Sequence, residues 1–246
     1  MIKVLTKVEG LIVKTTNYGE TSLIIELYTK EYGTIGIMGK GVKSMKSRLR
    51  ALTQNFTYGF FYIYYKENKL SILKDVDIIN PLTHIHEDIT LISYLNYIVE
   101  LTTQVYKESL SNEVFPIMID AILKINDGLN PGTITHIIEV KYLEYLGVGL
   151  HLNSCVNCGE TKSIVTVDPD QGGLLCKECY RGERLYPIRI IQLLRMYSLV
   201  EIKSITKLDI KNDLESEIET FLQSYYHRYT GMYLQSKEFL KKIANL

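Results

Sequence analysis

Four cysteines, Cys155, Cys158, Cys176 and Cys179, are the only thiols in the chain, and they fall as two Cys-x-x-Cys pairs with 17 residues between them. Each pair can present two thiolates on one side of a tight knuckle, and two facing knuckles supply the four soft ligands of a tetrahedral Zn²⁺ site. Gly159 follows the first pair, and Gly172 and Gly173 precede the second, which allows the bends that knuckles need. The segment between them, SIVTVDPDQGGLL from Ser163, is long enough for two strands and a turn that return the second knuckle to the first. Two other readings stay open: four reduced, buried cysteines, or a redox pair. A redox Cys-x-x-Cys comes once beside a βαβ pattern, and no such pattern is present. Four thiolates close the coordination sphere, whereas a catalytic zinc keeps one position open, so the expectation is structural Zn²⁺. A deaminase-type His-x-Glu is missing, because His86 and not a glutamate follows His84 by two residues; both histidines read as helix-entry residues.

A second stretch could grip an anion. Residues 39–50, GKGVKSMKSRLR, carry Lys40, Lys43, Lys46, Arg48 and Arg50 with no acidic residue among them. Basic side chains on a loop beside aromatic-rich strands suit single-stranded nucleic acid, with charge tracking the phosphates and rings stacking on bases. A solvated loop kept charged for solubility is the plain alternative. The following aromatic run, FTYGFFYIYY from Phe56, fits a barrel core more readily than a stacking platform.

These residues belong to a chain of 246 residues, 46% hydrophobic and 23% charged, which is ordinary for a globular protein. The N-terminus lacks the apolar stretch of a secretory signal, and no run is long enough to span a membrane, so a cytoplasmic protein is expected. A reducing compartment favours metal binding over disulfides for paired cysteines. The net charge of zero hides a gradient: residues 1–80 hold 12 basic and 7 acidic residues, residues 81–150 hold 3 and 9, and residues 151–246 hold 13 and 12. A basic first third in a neutral chain suggests one localised anion-binding face.

The elements that would position both sites follow from periodicity. Residues 8–80 contain five short β-branched or aromatic runs separated by turn residues at regular spacing. A small five-stranded barrel of OB-fold type is the natural way to bury them. Beyond Pro81 the period changes to that of a helix. A first helix runs from Glu87 to about Tyr106, with Ile89, Ile92, Leu95, Ile98, Val99, Thr102 and Val105 on one stripe. Further helices are expected from Asn112 to Asp127, from Pro131 to Gly147, after Pro187, and from Asp213 to about Tyr229. The expected fold is therefore α+β. An OB-fold domain spans residues 1–80, and a helical domain spans 81–246 and carries the cysteine module at about 151–186.

The order of these features resembles the RecO family of recombination mediators. The resemblance rests on residues 10–48, where a first strand is followed by a Tyr-Gly-Glu-x-Ser turn, a Thr-x-Glu-x-Gly turn and a basic Lys-Gly-x5-Ser-Arg loop. It also rests on the cysteine pattern CVNCGE and GGLLCKEC within a helical shell. It spans nearly the whole chain. The resemblance implies a nucleoid-associated protein that binds single- and double-stranded DNA, anneals complementary strands, and works with RecR and the tail of single-stranded-DNA-binding protein to load RecA. It implies that Lys40, Lys43, Lys46, Arg48 and Arg50 form the DNA-binding loop and that Cys155, Cys158, Cys176 and Cys179 hold Zn²⁺. A groove flanked by Arg189 and Arg195 is the expectation for the acidic tail.

No phosphate-binding glycine loop, catalytic triad or carboxylate pair stands out, so a non-enzymatic protein is expected. The alternative function is a zinc-ribbon adaptor that contacts proteins without touching DNA. A hydrolase is a third reading, disfavoured by the closed four-thiolate set.

Overall fold

Alternating apolar residues in the first third close into a barrel. The structure, a computed structural model, describes residues 4–244. Five strands, β1 (Leu5–Tyr18), β2 (Ser22–Thr29), β3 (Gly33–Gly39), β4 (Tyr58–Tyr64) and β5 (Ser71–Asn80), are ordered β1-β2-β3-β5-β4, with β4 closing on β1. All neighbours are antiparallel except β3 and β5. β1 is longer than its apolar run because it serves two partners: Leu5–Leu11 pairs with β4, and Gly10–Tyr18 pairs with β2. A register shift between Ile12 and Lys14 bends the strand between these two duties.

The inward side chains form one core of Val8, Ile12, Ile25, Leu27, Ile37, Phe61, Ile63, Leu73 and Val76. Strand alternation in β4 sends Phe61 and Ile63 inward and leaves Phe60, Tyr62 and Tyr64 half-exposed outside. That outer aromatic face is already covered in part. The Lys7 ammonium lies 3.7 Å from the Phe60 ring centroid, and Tyr62 donates to Asp77 at 2.9 Å. A 3₁₀ turn over Arg48–Thr53, capped by Ser47, presses Leu49 and Leu52 onto the core.

The chain divides into two compact units, 1–87 and 88–246. A single-turn helix, α1 (Thr83–His86), ends the first. The second is built from α2 (Ile89–Ser109), α3 (Val114–Asn126), α4 (Pro131–Tyr145), α5 (Ile188–Leu199), α6 (Asn212–Tyr229) and α7 (Gln235–Ala244). The Asp88 side chain caps α2 by accepting from the N–H groups of Thr90 and Leu91. Ile89, expected on the apolar stripe of this helix, is solvent-exposed at its first position; Tyr97 and Leu101 join the buried face instead. α4 is buried on nearly all sides from Thr133 to Leu143, which makes it the central helix of this unit. α7 was not foreseen from sequence. Between α4 and α5 lies a small sheet, β6 (His151–Cys155), β7 (Ile164–Asp168) and β8 (Gly173–Cys176), in the order β6-β8-β7.

Candidate metal centre and nucleic-acid interface

The two cysteine knuckles come together. Cys155 ends β6 and Cys176 ends β8, and these neighbouring parallel strands bring the pairs to one end of the small sheet. The four sulfurs all lie within 4.8 Å of one another, and Cys158 and Cys176 Sγ are 3.6 Å apart. Tetrahedral coordination with Zn–S bonds of about 2.3 Å needs sulfurs about 3.8 Å apart, so small side-chain adjustments complete the set.

Each knuckle is held by its own backbone. Gly159 N–H donates to the Cys155 carbonyl at 2.9 Å, and Cys179 and Tyr180 N–H donate to the Cys176 carbonyl at 3.1 and 3.0 Å. Gly159 turns with φ +77°, where a side chain would be strained. Gly173 has no room for one: a Cβ there would lie 2.3 Å from the His151 carbonyl oxygen, so the close approach of β6 to β8 depends on glycine.

The thiols are electrostatically divided. Burial pushes Cys155 up, but backbone hydrogen bonds from Cys176, Asn157 and Cys158 outweigh it and pull the thiol down to about 6. Cys179 is pushed up to about 12, first by its hydrogen bond to Cys158. Four thiolates packed this closely repel one another, and a divalent cation is what relieves the repulsion. Around the sulfurs, Cys155, Leu175 and Cys176 are buried, with Val156, Ile164 and Cys179 packed alongside, and Leu152, Val167 and Leu174 of the same three strands are buried as well. The donor set and its spacing fit a bound metal ion.

The basic loop leaves β3 at Gly39. Val42 anchors it in the barrel core at 1% exposure. Lys43 N–H donates to the Thr21 carbonyl at 2.8 Å, and Gly41 N–H donates to Ser22 Oγ at 3.2 Å. The loop is therefore fixed against the β1–β2 turn rather than left to float.

Its five basic side chains are not equivalent. Lys40 and Lys46 are exposed and make no ion pair among the described residues. Lys43 donates to Asn17 Oδ1 at 2.8 Å, and Arg50 reaches the Met45 sulfur at 2.6 Å. Arg48 pairs with Asp75 on β5. Lys66 and Lys69, exposed on the β4–β5 turn of the same unit, are further cations that the sequence reading did not single out. Their signal was weak: two lysines divided by Glu67 and Asn68 do not form a run.

In the helical unit, Arg189 is exposed and accompanied by Gln192. Arg195, expected to flank a groove with it, is also exposed, and it donates from Nε to the Leu152 carbonyl at 2.7 Å, tying α5 to β6.

Sequence reasoning missed a third cluster. His136 and Glu139 on α4, Glu219 on α6 and Lys237 on α7 meet inside the helical unit. The only sequence hint was a charged residue three positions from a histidine within an apolar helix.

Comparison with known proteins follows the same division of the chain. Residues 1–82 match the family model "Recombination protein O N terminal", and residues 86–238 match "Recombination protein O C terminal". A protein of Listeria monocytogenes serotype 4b named DNA repair protein RecO is 31% identical over 241 residues, covering 96% of this chain and 94% of its own. Proteins of the same name from Halalkalibacterium halodurans and Bacillus subtilis are 31% and 32% identical, each covering 98% of this chain and 96% of its own.

Proposed function

Because the chain belongs to the RecO family of DNA repair proteins, we propose that it is a recombination mediator that grips DNA backbones with its barrel and carries out no catalytic step. The observation that carries this reading is the β3–β4 loop, pinned at Val42 and presenting Lys40 and Lys46 unpaired to solvent. Preplaced cations neutralise phosphates without a further ordering cost, and they do so irrespective of sequence. Lys43, Arg48 and Arg50 add to the grip on exchanging their present partners for phosphate.

Single- and double-stranded DNA are the expected ligands. Annealing of complementary strands follows from holding two neutralised backbones near one another. RecR, the tail of single-stranded-DNA-binding protein and, through them, RecA are the proposed partners. The DNA-binding domain in this reading is the barrel of residues 1–80, and the partner-binding domain is residues 81–246.

The four cysteines hold Zn²⁺ in this reading. The ion is structural: it draws the four thiolates of two knuckles together at one end of a small three-stranded sheet.

The adaptor reading has one observation in its favour. Leu185, Ile188, Met196 and Leu199, on and beside α5, are exposed apolar side chains that suit a protein partner. The two readings are separated by fluorescence anisotropy with a labelled single-stranded oligonucleotide across a salt series. Wild type is expected to bind with a steep salt slope. Replacing Lys43, Lys46 and Arg48 together by Ala should make the slope shallower by about 0.7 for each phosphate left without its cation. Failure of wild type to bind at low salt would overturn the DNA reading and leave the adaptor.

A further inference from the structure

A buried carboxylate whose free oxygen has nothing to bond is expensive to keep. Glu139 on the central helix α4 is fully buried. Its Oε1 accepts from Tyr97 and from Lys237, the latter at 2.7 Å, while its Oε2 has no hydrogen-bond partner. One turn away, His136 is 5% exposed, and its Nδ1 is also unpartnered. Its Nε2 meets Glu219 Oε2 of α6 at 2.9 Å. These side chains line a cavity of about 410 Å³ together with Tyr94, Glu215 and Lys237.

The charges do not balance from within. Among the described residues lining the cavity, Glu139, Glu215 and Glu219 face one ammonium, Lys237. The lysine lies on one edge of the pair: its ammonium is 2.7 Å from Glu139 Oε1 and 3.5 Å from Glu219 Oε1. On the other edge Glu219 Oε2 meets His136 Nε2, while Glu139 Oε2 and His136 Nδ1 have no hydrogen-bond partner among the described residues. One ligand atom from each of these three residues lies within 4.8 Å of the other two.

We propose that His136, Glu139 and Glu219 form a binding site for a divalent transition-metal cation, separate from the cysteine cluster. One imidazole nitrogen and two carboxylates are a donor set for ions between Mn²⁺ and Zn²⁺. Metal bonds of about 2.1 Å at right angles place neighbouring donors about 3.0 Å apart, and the His136–Glu219 contact already has nearly that separation. A dication also neutralises what Lys237 leaves over: three carboxylates against one ammonium and two metal charges sum to zero with a neutral imidazole. Sites of this kind, built from side chains on facing helices with an i, i+3 pair of Glu and His, are natural to helical bundles. The ion would tie α6 to α4, with Lys237 of α7 holding the outer oxygens.

The test uses the full chain with its cysteine cluster loaded with Zn²⁺, titrated with Mn²⁺ by electron paramagnetic resonance and with Co²⁺ by visible absorption. Mn²⁺ prefers carboxylates to thiolates, so it reads this site independently of the cysteines. Wild type is expected to bind one equivalent of at least one of the two ions with Kd below about 1 mM. Glu219→Gln, on a half-exposed residue, and His136→Gln should each weaken binding by about tenfold or more, with folding checked by circular dichroism. Absence of binding for both ions in wild type would overturn the proposal and leave an ion-pair network. So would binding that persists unchanged in folded Glu219→Gln or His136→Gln protein. Neither result depends on whether the barrel binds DNA.

Discussion

The barrel and the cysteine module are both small β structures, yet they solve the problem of burial in opposite ways. The barrel has five strands, no free edge and a core that includes Phe61, Ile63, Ile25 and Leu27 at 0% exposure. Its candidate DNA-binding cations lie outside the core, on the β3–β4 loop. The module has three short strands in an open sheet, which bury Leu152, Val167, Leu174 and Leu175 and place two of its own cysteines, Cys155 and Cys176, among the buried residues. Its chemistry is its core. A closed sheet can spare its polar side chains for a partner; a sheet too small to close must use them on itself.

The largest effect that would sharpen this contrast is metal removal. Structural Zn²⁺ sites are worth roughly 10–16 kcal/mol in apparent binding free energy. Chelation, or Cys176→Ser, is therefore expected to unfold the module while the barrel keeps its structure. Limited proteolysis should show new cuts between residues 150 and 187 and none between residues 5 and 80. Unchanged thermal stability and metal content in Cys176→Ser protein would remove the basis of the comparison.

In the barrel the corresponding blow is to packing. Phe61→Ala should destabilise the first unit by about 3–5 kcal/mol, read by urea denaturation, since the ring is fully enclosed and cannot be replaced by water. A smaller loss is expected for Val42→Ala, about 1.5 kcal/mol from removal of two methyl groups. This variant also tests the loop: release of its anchor should weaken DNA binding even though no charge is removed. If binding is unaffected, the loop does not act as a preplaced grip.

The smallest effects on stability belong to the cations. Lys40→Ala with Lys46→Ala should shift stability by less than about 0.5 kcal/mol while lowering the salt dependence of DNA binding. Breaking the exposed Arg48–Asp75 pair with Asp75→Asn should cost at most about 1 kcal/mol. It should strengthen DNA binding by freeing the guanidinium. Weaker binding would mean that Asp75 holds Arg48 in its useful position.

Much of the fold could be read along the chain because it rests on local signals. The aromatic and β-branched run from Phe56 was legible as a strand, and its alternation puts Phe61 and Ile63 on the face opposite Phe60, Tyr62 and Tyr64. Pro131, with Asn130 before it, marked the start of α4. What could not be read depends on residues far apart. α7 is short and carries an amphipathic pattern in Phe239, Leu240 and Ile243 that the sequence reading passed over; what fixes the helix in place is distant. Its first turn is held by Glu100, which accepts from Ser236 N–H at 2.9 Å across 136 residues, and by Lys237 reaching α4 and α6. Arg195 is the surface cation its sequence suggests, but only the fold shows that a β6 carbonyl, that of Leu152, engages its guanidinium.

The same distinction separates the two candidate metal sites. Cys155, Cys158, Cys176 and Cys179 were recognisable from sequence because both halves of the site are tight turns, and a Cys-x-x-Cys turn has nearly one geometry wherever it occurs. His136, Glu139 and Glu219 gave no such signal, since 79 positions separate the pair on α4 from the residue on α6. Spacing alone indicated that the four cysteines come together as a candidate metal site, and the residue types alone set the charge of the β3–β4 loop. Only the tertiary structure decided which of the five loop cations stand free, and that a histidine and two glutamates from separate helices share one cavity. Burial and pairing arise from packing between distant segments, and no local pattern of residues records it.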